Sequence, residues 1–421
     1  MRSLPLLLAA AFAATAGAQT TWTVPTNVPT LQAAIDAAQP GDTITMVSTF
    51  TDSAGSVVLS KALALVDCRL AYPDNSFGLR VTGITGGARL ELRNVTIANS
   101  GDGFANTSLS SEALRIDLPA SATGDLVFDQ VQVRGSIGSG LPDSRAALLV
   151  LSLGGATLTA RGCTFRGRDS TPLSYQNCGE VGPAGGTGAV LAAPGRYLFE
   201  DCAFTGGRGG TGFANAMTMV AGAHGGAGLR TAGNAVLVHC TVTDGDGGDA
   251  LFCNPPPFFR PPNPCAMAAA PGASILPADL FGVTWVQGGV GTVTGCANPP
   301  PPPPVLPLGR AVDVLPAAAT FTTGQPIVLQ VAWRPGDLAV ALGAGGPFLR
   351  VDLPGVIGPL WMQQVVFNQT VGPPGPSGLV TPPLPNVPAG LGVPVDFVVQ
   401  VAHVRATYLE LGAPRVITLR Q

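Results

Sequence analysis

A short pattern of apolar residues recurs five times in this chain and limits the folds that are open to it. It reads apolar-x-apolar-x-x-(Val or Cys)-x-apolar, and each copy ends near Gly or Asn. The fixed Val or Cys lies at Val95, Val131, Cys163, Cys202 and Cys240. A second short apolar strand precedes most copies, at 114–116, 148–150, 190–191 and Leu229. Copies spaced by about 32 to 39 residues, each with two strands and a turn, predict a stacked solenoid.

The region before these copies begins with a predicted amphipathic helix. The apolar positions at i, i+3, i+4 and i+7 are Leu31, Ala34, Ile35 and Ala38. They share one helical face, while Thr30 is placed to cap the N-terminus and Pro40-Gly41 ends the helix. Residues 43–46 then alternate in polarity as a strand does.

This opening, a short helix followed by Pro-Gly-Asp-Thr-Ile at 40–44, resembles that of right-handed parallel β-helix proteins of the pectate-lyase-like family. In that family the helix covers the first coil and its unpaired strand edge. Residues 57–68 fit the family's next strand, whereas Ser48-Thr49-Phe50 stands where the family has a Gly-Thr-Tyr turn. The resemblance implies a right-handed parallel β-helix. An antiparallel β-sandwich is the alternative, because its hairpins also give short alternating strands.

Composition excludes several classes of protein. Charged residues make up 11% of the chain, and its 56 Gly and 40 Pro leave little room for long helices. A hydrophobic fraction of 46% is enough for a buried core and argues against disorder. The net charge of -3, with no basic cluster, argues against a nucleic-acid partner, because binding phosphates needs a concentrated positive surface.

The first 18 residues have the layout of a cleavable secretory signal peptide. Arg2 gives a short positive region, residues 4–14 are apolar, and Ala16-Gly17-Ala18 precede Gln19. The apolar run has about a dozen residues, whereas a membrane-spanning helix needs roughly 20. We therefore expect a mature chain from Gln19 that is secreted or held at the cell surface, with no membrane span after signal cleavage.

Six consecutive prolines at 299–304 divide the rest of the chain into two parts. Proline lacks an N–H and fixes φ, so the run predicts a stiff polyproline II linker. The parallel β-helix is expected over 19–298. Residues 305–421 contain about seven short strands between Gly/Pro turns and no cysteine, which is typical of a β-sandwich domain. The predicted fold class is therefore all-β.

Eight cysteines in an exported chain are expected to pair. Cys253 and Cys265 flank a Pro-rich loop that a disulfide would order, and we predict that they form one. Cys163, Cys202 and Cys240 share one register, about 4.8 Å apart if stacked, so either a disulfide or a ladder of thiols fits there. A cysteine metal site is not favoured, because no Cys-x-x-Cys motif occurs.

Catalysis on a polysaccharide would need carboxylates on outward positions of neighbouring repeats. The repeats carry Glu91, Asp129 and the adjacent pair Glu200-Asp201, which do not align as a catalytic pair. We interpret them as solvent-facing charges and predict no catalytic residue. The glycine-rich run 206–212 lacks the Lys-Ser/Thr ending of a phosphate loop.

The densest acidic cluster lies in residues 243–251, Thr-Asp-Gly-Asp-Gly-Gly-Asp-Ala-Leu. Asp244, Asp246 and Asp249, with glycines that let the backbone turn its carbonyls inward, suit a hard cation such as Ca²⁺. The segment resembles one unit of the calcium-binding GGxGxDxLx nonapeptide, with Asp244 in place of the first Gly. Those repeats bind between tandem turns, and one copy is present here, so a solvated Gly/Asp turn is the alternative. Ca²⁺ is the only cofactor that the sequence indicates.

Two functional classes remain. The favoured one is a non-catalytic secreted or cell-surface protein whose solenoid presents a stable surface, while the C-terminal domain attaches, sorts or binds glycan. Its partner is then a polysaccharide or another cell-surface component. The alternative is a polysaccharide lyase or glycoside hydrolase with a C-terminal carbohydrate-binding module, which rests on the fold resemblance alone. Without a carboxylate constellation, we expect no degradation of pectin or related uronic-acid polymers.

Overall fold

The computed structural model describes most of the chain up to residue 308 and the strands of the remainder. The described residues are 19–53, 55–73, 77–84, 88–99, 112–135, 146–170, 181–214, 220–232, 235–252, 268–277, 279–293, 305–308, 314–316, 320–332, 338–345, 348–351, 356–357, 360–362, 367–371, 379–380, 387, 394–404, 409–411 and 414–420. The predicted signal peptide 1–18, the predicted disulfide Cys253–Cys265 and the proline run 299–304 lie outside them. Thr20–Gly309 form one compact unit, and Arg310–Gln421 belong to another.

Three sheets build the first unit. Sheet A has nine strands: Thr21–Val24, Thr43–Met46, Ala64–Val66, Ala88–Arg93, Gly124–Asp129, Thr157–Arg161, Arg196–Glu200, Ala235–Val238 and Asp279–Phe281. Sheet B has eight: Arg69–Tyr72, Thr96–Asn99, Gln132–Arg134, Thr164–Arg166, Ala203–Thr205, Thr241–Thr243, Val283–Val286 and Val305–Leu308. Sheet C has six: Val57–Leu59, Leu79–Val81, Leu114–Asp117, Leu148–Ser152, Ala189–Leu191 and Leu229–Thr231. Gly212–Ala214 and Ala250–Phe252 form a further parallel pair.

The chain visits the three sheets in rotation, from C to A to B and back to C, and each such circuit is called a pass below. Successive passes lie in register, so that Leu126 is paired with Leu90 on one side and with Leu158 on the other. All strand pairs between passes are parallel except the last pair of sheet B. Parallel stacking of this kind is compatible with the predicted β-helix.

One residue in the left-handed conformation turns the chain from sheet A to sheet B. These residues have φ between 50° and 59° and are Asp67, Asn94, Gln130, Gly162, Asp201, His239 and Gly282. The residue after each is buried, and the set is Cys68, Val95, Val131, Cys163, Cys202, Cys240 and Val283. The five predicted repeat positions are therefore confirmed. Cys68 and Val283 extend the series, and the sequence analysis missed them because their passes differ in length.

The predicted helix is present as Leu31–Ala37. Thr30 caps it by accepting the N–H of Ala33, and the predicted apolar face is buried. The protein's single lysine, Lys61, donates to the carbonyls of Ile35, Asp36 and Ala38 at 2.8 to 2.9 Å. Because the last carbonyls of a helix have no partner within it, Lys61 satisfies the C-terminal end.

Large side chains fill the interior between the three sheets. Phe128, Phe165, Phe199, Phe204 and Tyr197 are among the largest fully buried residues. Phe165 and Phe204 belong to neighbouring passes and stack with their ring centroids 5.5 Å apart. Stacked passes thus bury one continuous core, as the alternating pattern predicted.

The last strand of the first unit is Val305–Leu308, which pairs antiparallel with Val283–Val286. The proline run predicts that the second part of the chain begins at residue 305. The structure instead assigns 305–308 to the first unit, because their backbone extends sheet B.

The second unit consists of short strands. They are Val314–Pro316, Thr320–Thr322, Leu329–Ala332, Leu338–Gly345, Phe348–Val351, Val356–Ile357, Leu360–Met362, Phe367–Val371, Leu379–Val380, Val395–Val404, Leu409–Leu411 and Arg415–Arg420. Leu338–Gly345 and Val395–Val404 form the antiparallel centre of a seven-stranded sheet. That sheet is mixed, since Thr320–Thr322 pairs parallel with Arg415–Arg420. In the described part of the chain, no helix is long and apolar enough to cross a bilayer.

Candidate functional site

The outward positions of sheet B form two straight rows of side chains, here called the polar face. Along each strand the central residue points into the core and its neighbours point outward. The first row contains Arg69, Thr96, Gln132, Thr164, Ala203, Thr241 and Thr284. The second row contains Ala71, Ala98, Arg134, Arg166, Thr205, Thr243 and Val286. Neighbours within a row are spaced by about 4.8 Å, the distance between paired strands.

Ten of the fourteen positions of the polar face carry hydroxyl, amide or guanidinium groups, and the other four are Ala71, Ala98, Ala203 and Val286. Gln132, Thr164 and Thr241 are exposed, and neither row contains a carboxylate. These groups donate and accept hydrogen bonds but offer no acid and base for bond cleavage. Equal spacing suits a ligand that itself repeats along its length. The arrangement therefore fits a binding surface for an extended polymer.

A glycine-rich stack lies where the chain leaves sheet B. Its outgoing segments are 167–170, 206–212, 244–250 and 287–292, and its returning segments are 182–188, 221–228 and 269–272. Every third N–H group in 206–212 donates to a carbonyl of the next outgoing strand or segment. The pairs are Gly206 with Thr243, Gly209 with Asp246 and Gly212 with Asp249. A second row bonds to the returning layer, with Gly207 and Gly210 donating to Gly186 and Pro183. A three-residue repeat is that of an extended threefold helix, not a β-strand.

Glycine is required inside this stack because the backbones touch. A Cβ on Gly226 would overlap the carbonyl oxygen of Gly186, and one on Gly245 would overlap that of Gly207. The sequence of 206–212 was compared only with the pattern of a phosphate loop, and its place in the stack was missed. The available signal was glycine at three-residue intervals recurring in 182–188, 206–212 and 222–228.

The third row of N–H groups faces outward, and aspartates of the preceding pass accept from it. Asp169 Oδ1 accepts the N–H of Arg208 at 2.8 Å, and Asp246 Oδ1 accepts that of Gly289 at 2.6 Å. Asp249 Oδ1 accepts both the N–H and the hydroxyl of Thr292, at 2.8 and 2.6 Å. Two of the three aspartates of the predicted cation site thus hold one pass against the next.

Asp249 also pairs with a cation, since its Oδ2 lies 2.5 Å from Arg208 Nη2. Burial raises the pKa of Asp249, but the hydrogen bonds from Thr292 and the charge of Arg208 outweigh burial and leave the pKa below its ordinary value. The contacts with Thr292 and Arg208 therefore stabilise the ionised carboxylate of Asp249.

Asp244, the third predicted ligand, points inward and is 3% exposed. It accepts from the N–H of Gly228 at 2.9 Å, from Ser274 Oγ at 2.5 Å and from Trp285 Nε1 at 2.9 Å. Among the described residues, no group of three or more His, Cys, Asp or Glu is arranged to hold a metal ion. Each of the three aspartates has its own donors, and Ca²⁺ binding there stays a prediction.

The carboxylates noted on sheet A lie beside basic residues. Register places Asp129 between Arg93 and Arg161, and Arg161 next to Glu200, so charge alternates along this row. Glu91 is 3.6 Å from Arg89 within its own strand. Asp201, at the left-handed turn, is 3.5 Å from His239 of the next pass. Alternating charges on adjacent strands are stabilising pairs, which supports a structural role. Glu91 and Glu200 are only 6% and 3% exposed, so the expectation that these charges face solvent is wrong for those two, whereas Asp201 is exposed.

Sheet C carries an acidic pair that the sequence analysis missed. Arg115 lies 3.8 Å from Glu112 and 3.1 Å from Asp117, and it is in register with Arg80 of the preceding pass. Glu112 is 3% exposed, although it precedes the strand and fits no repeat pattern. The sequence gives no indication of Glu112, because this carboxylate is recognised by its contact with Arg115 in space and not by its spacing in the chain.

Four cysteines are described, and all are free and buried: Cys68, Cys163, Cys202 and Cys240. The expectation that the cysteines pair is therefore wrong for these four. In-register stacking points the three thiols of the repeat the same way, about 4.8 Å apart instead of the ~2.05 Å of a disulfide. Burial, with the hydrogen bonds to Cys163 and Cys240, raises the pKa of Cys202 well above its ordinary value.

Comparison with known proteins gives no family for this chain. No protein-family model matches it, and no curated protein matches it either.

Proposed function

We propose that this chain is an exported, non-catalytic protein, secreted or held at the cell surface, whose polar face binds a polysaccharide or another repeating cell-surface component. The first unit is then a right-handed parallel β-helix. The supporting observation is the in-register polar face, whose first row carries a hydroxyl, amide or guanidinium group at six of its seven positions and no carboxylate.

The residues of the stack add to this proposal. Asp169, Asp246 and Asp249 are engaged in bonds between passes, which makes the outgoing layer a rigid continuation of sheet B. A rigid surface loses little conformational entropy on binding, so weak contacts repeated along a polymer add up. The second unit, as a β-sandwich, is proposed to attach the protein or to bind glycan.

Binding to polysaccharides tests the proposal. The purified full-length chain is mixed with cellulose, chitin, polygalacturonate and alginate, and the fraction retained is measured for wild type and for the double variant Thr164→Glu/Thr241→Glu. Both changes place a charge on the exposed polar face and leave the core untouched. Thr26→Glu, at an exposed position outside the face, is the matched control.

We expect at least one polysaccharide to retain the wild type and the control, and the double variant to lose about tenfold in affinity, or about 1.4 kcal/mol. Equal retention of all three proteins would show that the polar face is not the binding surface. If none of the three proteins is retained by any of the four polysaccharides, the result counts against glycan binding.

A polysaccharide lyase or hydrolase is the second candidate, and one observation favours it. Glu112 and Asp117 flank Arg115 on one side of sheet C, and paired carboxylates are what glycoside hydrolysis requires. Both carboxylates contact the same guanidinium, which favours a structural ion-pair group. Turnover of any glycan that Glu112→Gln abolishes would establish this candidate instead.

A further inference from the structure

Two arginines lie side by side in the second row of the polar face. Arg134 is in register with Arg166 of the next pass, and both residues are exposed. In-register neighbours on paired strands are about 4.8 Å apart, so two positive charges stand next to each other on the surface. Like charges in directly opposite positions destabilise a sheet.

The same two passes carry a different charge pattern on sheet A. There Asp129 is in register with Arg161, and Arg161 with Glu200, so opposite charges are neighbours. These passes therefore pair opposite charges where they cross sheet A and like charges where they cross sheet B. A rule of stability that is broken at an exposed position is typical of a functional site.

The guanidinium of Arg166 is held by a neighbouring aspartate. Its Nη2 lies 3.1 Å from Asp169 Oδ2, while Asp169 Oδ1 accepts the N–H of Arg208. A side chain that is already fixed loses less rotamer freedom when a ligand binds. Two guanidiniums and one carboxylate leave this part of the surface with a net positive charge, although the whole chain has a formal net charge of -3.

Neutral hydrogen-bonding groups lie beside the two arginines. Gln132 and Thr164 are two residues earlier on the same two strands, about 7 Å away, and both are exposed. Arg134, Arg166, Gln132 and Thr164 are called the arginine patch below. A carboxylate has two oxygens, and a single guanidinium binds both of them. A sulfate or phosphate ester offers three oxygens, which suits two guanidiniums and a neutral donor together.

We propose that the arginine patch binds a sulfate or phosphate ester on the polymer that the polar face binds. This inference rests on the proposed function and assigns the charged group of its partner. Arg134 and Arg166 bind the oxygens of the ester, and Gln132 and Thr164 donate to the same group or to an adjacent hydroxyl. An anion between the two guanidiniums also offsets their mutual repulsion.

A series of ligands with one backbone tests the nature of the charged group. Retention of the purified full-length chain is measured on dextran, carboxymethyl-dextran, dextran sulfate and dextran phosphate, with equal charge density on the three anionic polymers. The variant Arg134→Gln removes one charge from the arginine patch and leaves the pair of Arg166 with Asp169 in place. Arg196→Gln removes one exposed charge from sheet A and is the matched control.

We expect the wild type and Arg196→Gln to bind at least one of the two ester dextrans about tenfold more tightly than carboxymethyl-dextran. Arg134→Gln is expected to lose about tenfold in that affinity, because it loses charged hydrogen bonds to the ester. The sulfate and phosphate arms identify which ester is bound. Since the substitution removes a like-charge contact, the midpoint of urea unfolding at low salt is expected to be unchanged or higher.

Several results would overturn the inference. Equally tight binding of carboxymethyl-dextran would show attraction to any anion, and an equal loss in Arg134→Gln and Arg196→Gln would show attraction by overall charge alone. A lower unfolding midpoint in Arg134→Gln would make Arg134 a structural residue. No retention by either ester dextran would also exclude the inference.

Failure of this inference is distinguishable from failure of the proposed function. Binding to cellulose or chitin that Thr164→Glu/Thr241→Glu weakens and Arg134→Gln does not would keep the polar face as the binding surface and exclude the ester. If no polysaccharide of either series retains the wild type, the proposed function fails together with the inference.

Discussion

Gln32 and Val58 exchange a pair of hydrogen bonds between a side-chain amide and a backbone. The N–H of Val58 donates to Gln32 Oε1 at 2.7 Å, and Gln32 Nε2 donates to the carbonyl of Val58 at 3.3 Å. Among the described residues, Val57–Leu59 is the first strand of sheet C and has no strand before it. The glutamine amide takes the place of that missing strand, so the helix covers the sheet edge chemically as well as sterically.

Replacing Gln32 by Ala is expected to lower the free energy of unfolding by about 1–2 kcal/mol, because it leaves the Val58 N–H and carbonyl without their partner. Urea unfolding followed by circular dichroism measures the difference. Gln39→Ala, at an exposed helix-flanking position, is the control and is expected to be neutral. Equal stability of the two variants would contradict the edge-capping role of Gln32.

Lys61→Met keeps the aliphatic stem but removes the ammonium that donates to three helix carbonyls. We expect the free energy of unfolding to fall by about 0.5–2 kcal/mol. The variant loses these hydrogen bonds and also the favourable interaction of the ammonium with the negative end of the helix dipole. The loss is expected to shrink in Lys61→Arg, which retains the charge. Thermal unfolding of the two variants side by side measures this, and a methionine variant as stable as the arginine variant would be inconsistent with capping.

Gly226→Ala tests the glycine-rich stack. The new methyl group would overlap the carbonyl oxygen of Gly186, so backbones must separate and the expected loss is about 3 kcal/mol or more. Gly155→Ala is the matched control, because a Cβ there lies 3.3 Å from its nearest neighbour and is nearly accommodated. Chemical denaturation distinguishes them. A Gly226→Ala protein as stable as the control would mean that the segments are not in contact.

Asp249 gives the stack a pH dependence of known sign. Its folded-state pKa is below the ordinary value, so its stabilising contribution is present above the unfolded-state pKa and is lost as pH falls through the folded-state pKa. The free energy of unfolding should therefore differ between wild type and Asp249→Asn at neutral pH and converge in acid. Unfolding measured from neutral to acidic pH tests this, and a difference that stays constant would exclude Asp249 as the cause.

The stacked thiols are predicted to be inert in the folded protein. Cys163, Cys202 and Cys240 are buried, and each donates to a carbonyl two residues before it or of the preceding pass. Burial keeps all three thiols away from a reagent in solution, and it also raises the pKa of Cys202, which makes that thiol a poor nucleophile. Alkylation followed by peptide mapping should label these three only after denaturation. Disulfide-linked peptides among them, or labelling of the native protein, would contradict the ladder of thiols.

Sequence periodicity was sufficient for the parts of the fold that depend on alternation of polarity. The helix Leu31–Ala37 and the buried positions Val95 to Cys240 follow from it directly. The glycine-rich stack was missed because its repeat is three residues and its contacts are between backbones, which a search for apolar side chains does not detect. Asp246 and Asp249 were recognised as a cluster, but their partners Gly289 and Thr292 are one pass away and have no signal in local sequence.

We propose that this protein acts by binding through its surface and not by chemistry on a glycan. The most direct measurement is a time course of new reducing ends and unsaturated products from polygalacturonate and alginate, with added Ca²⁺, in the presence of the purified full-length chain. We expect no product above the protein-free control. Turnover that disappears in Asp246→Ala, or in Glu112→Gln, would contradict it and make the corresponding acidic group an active site.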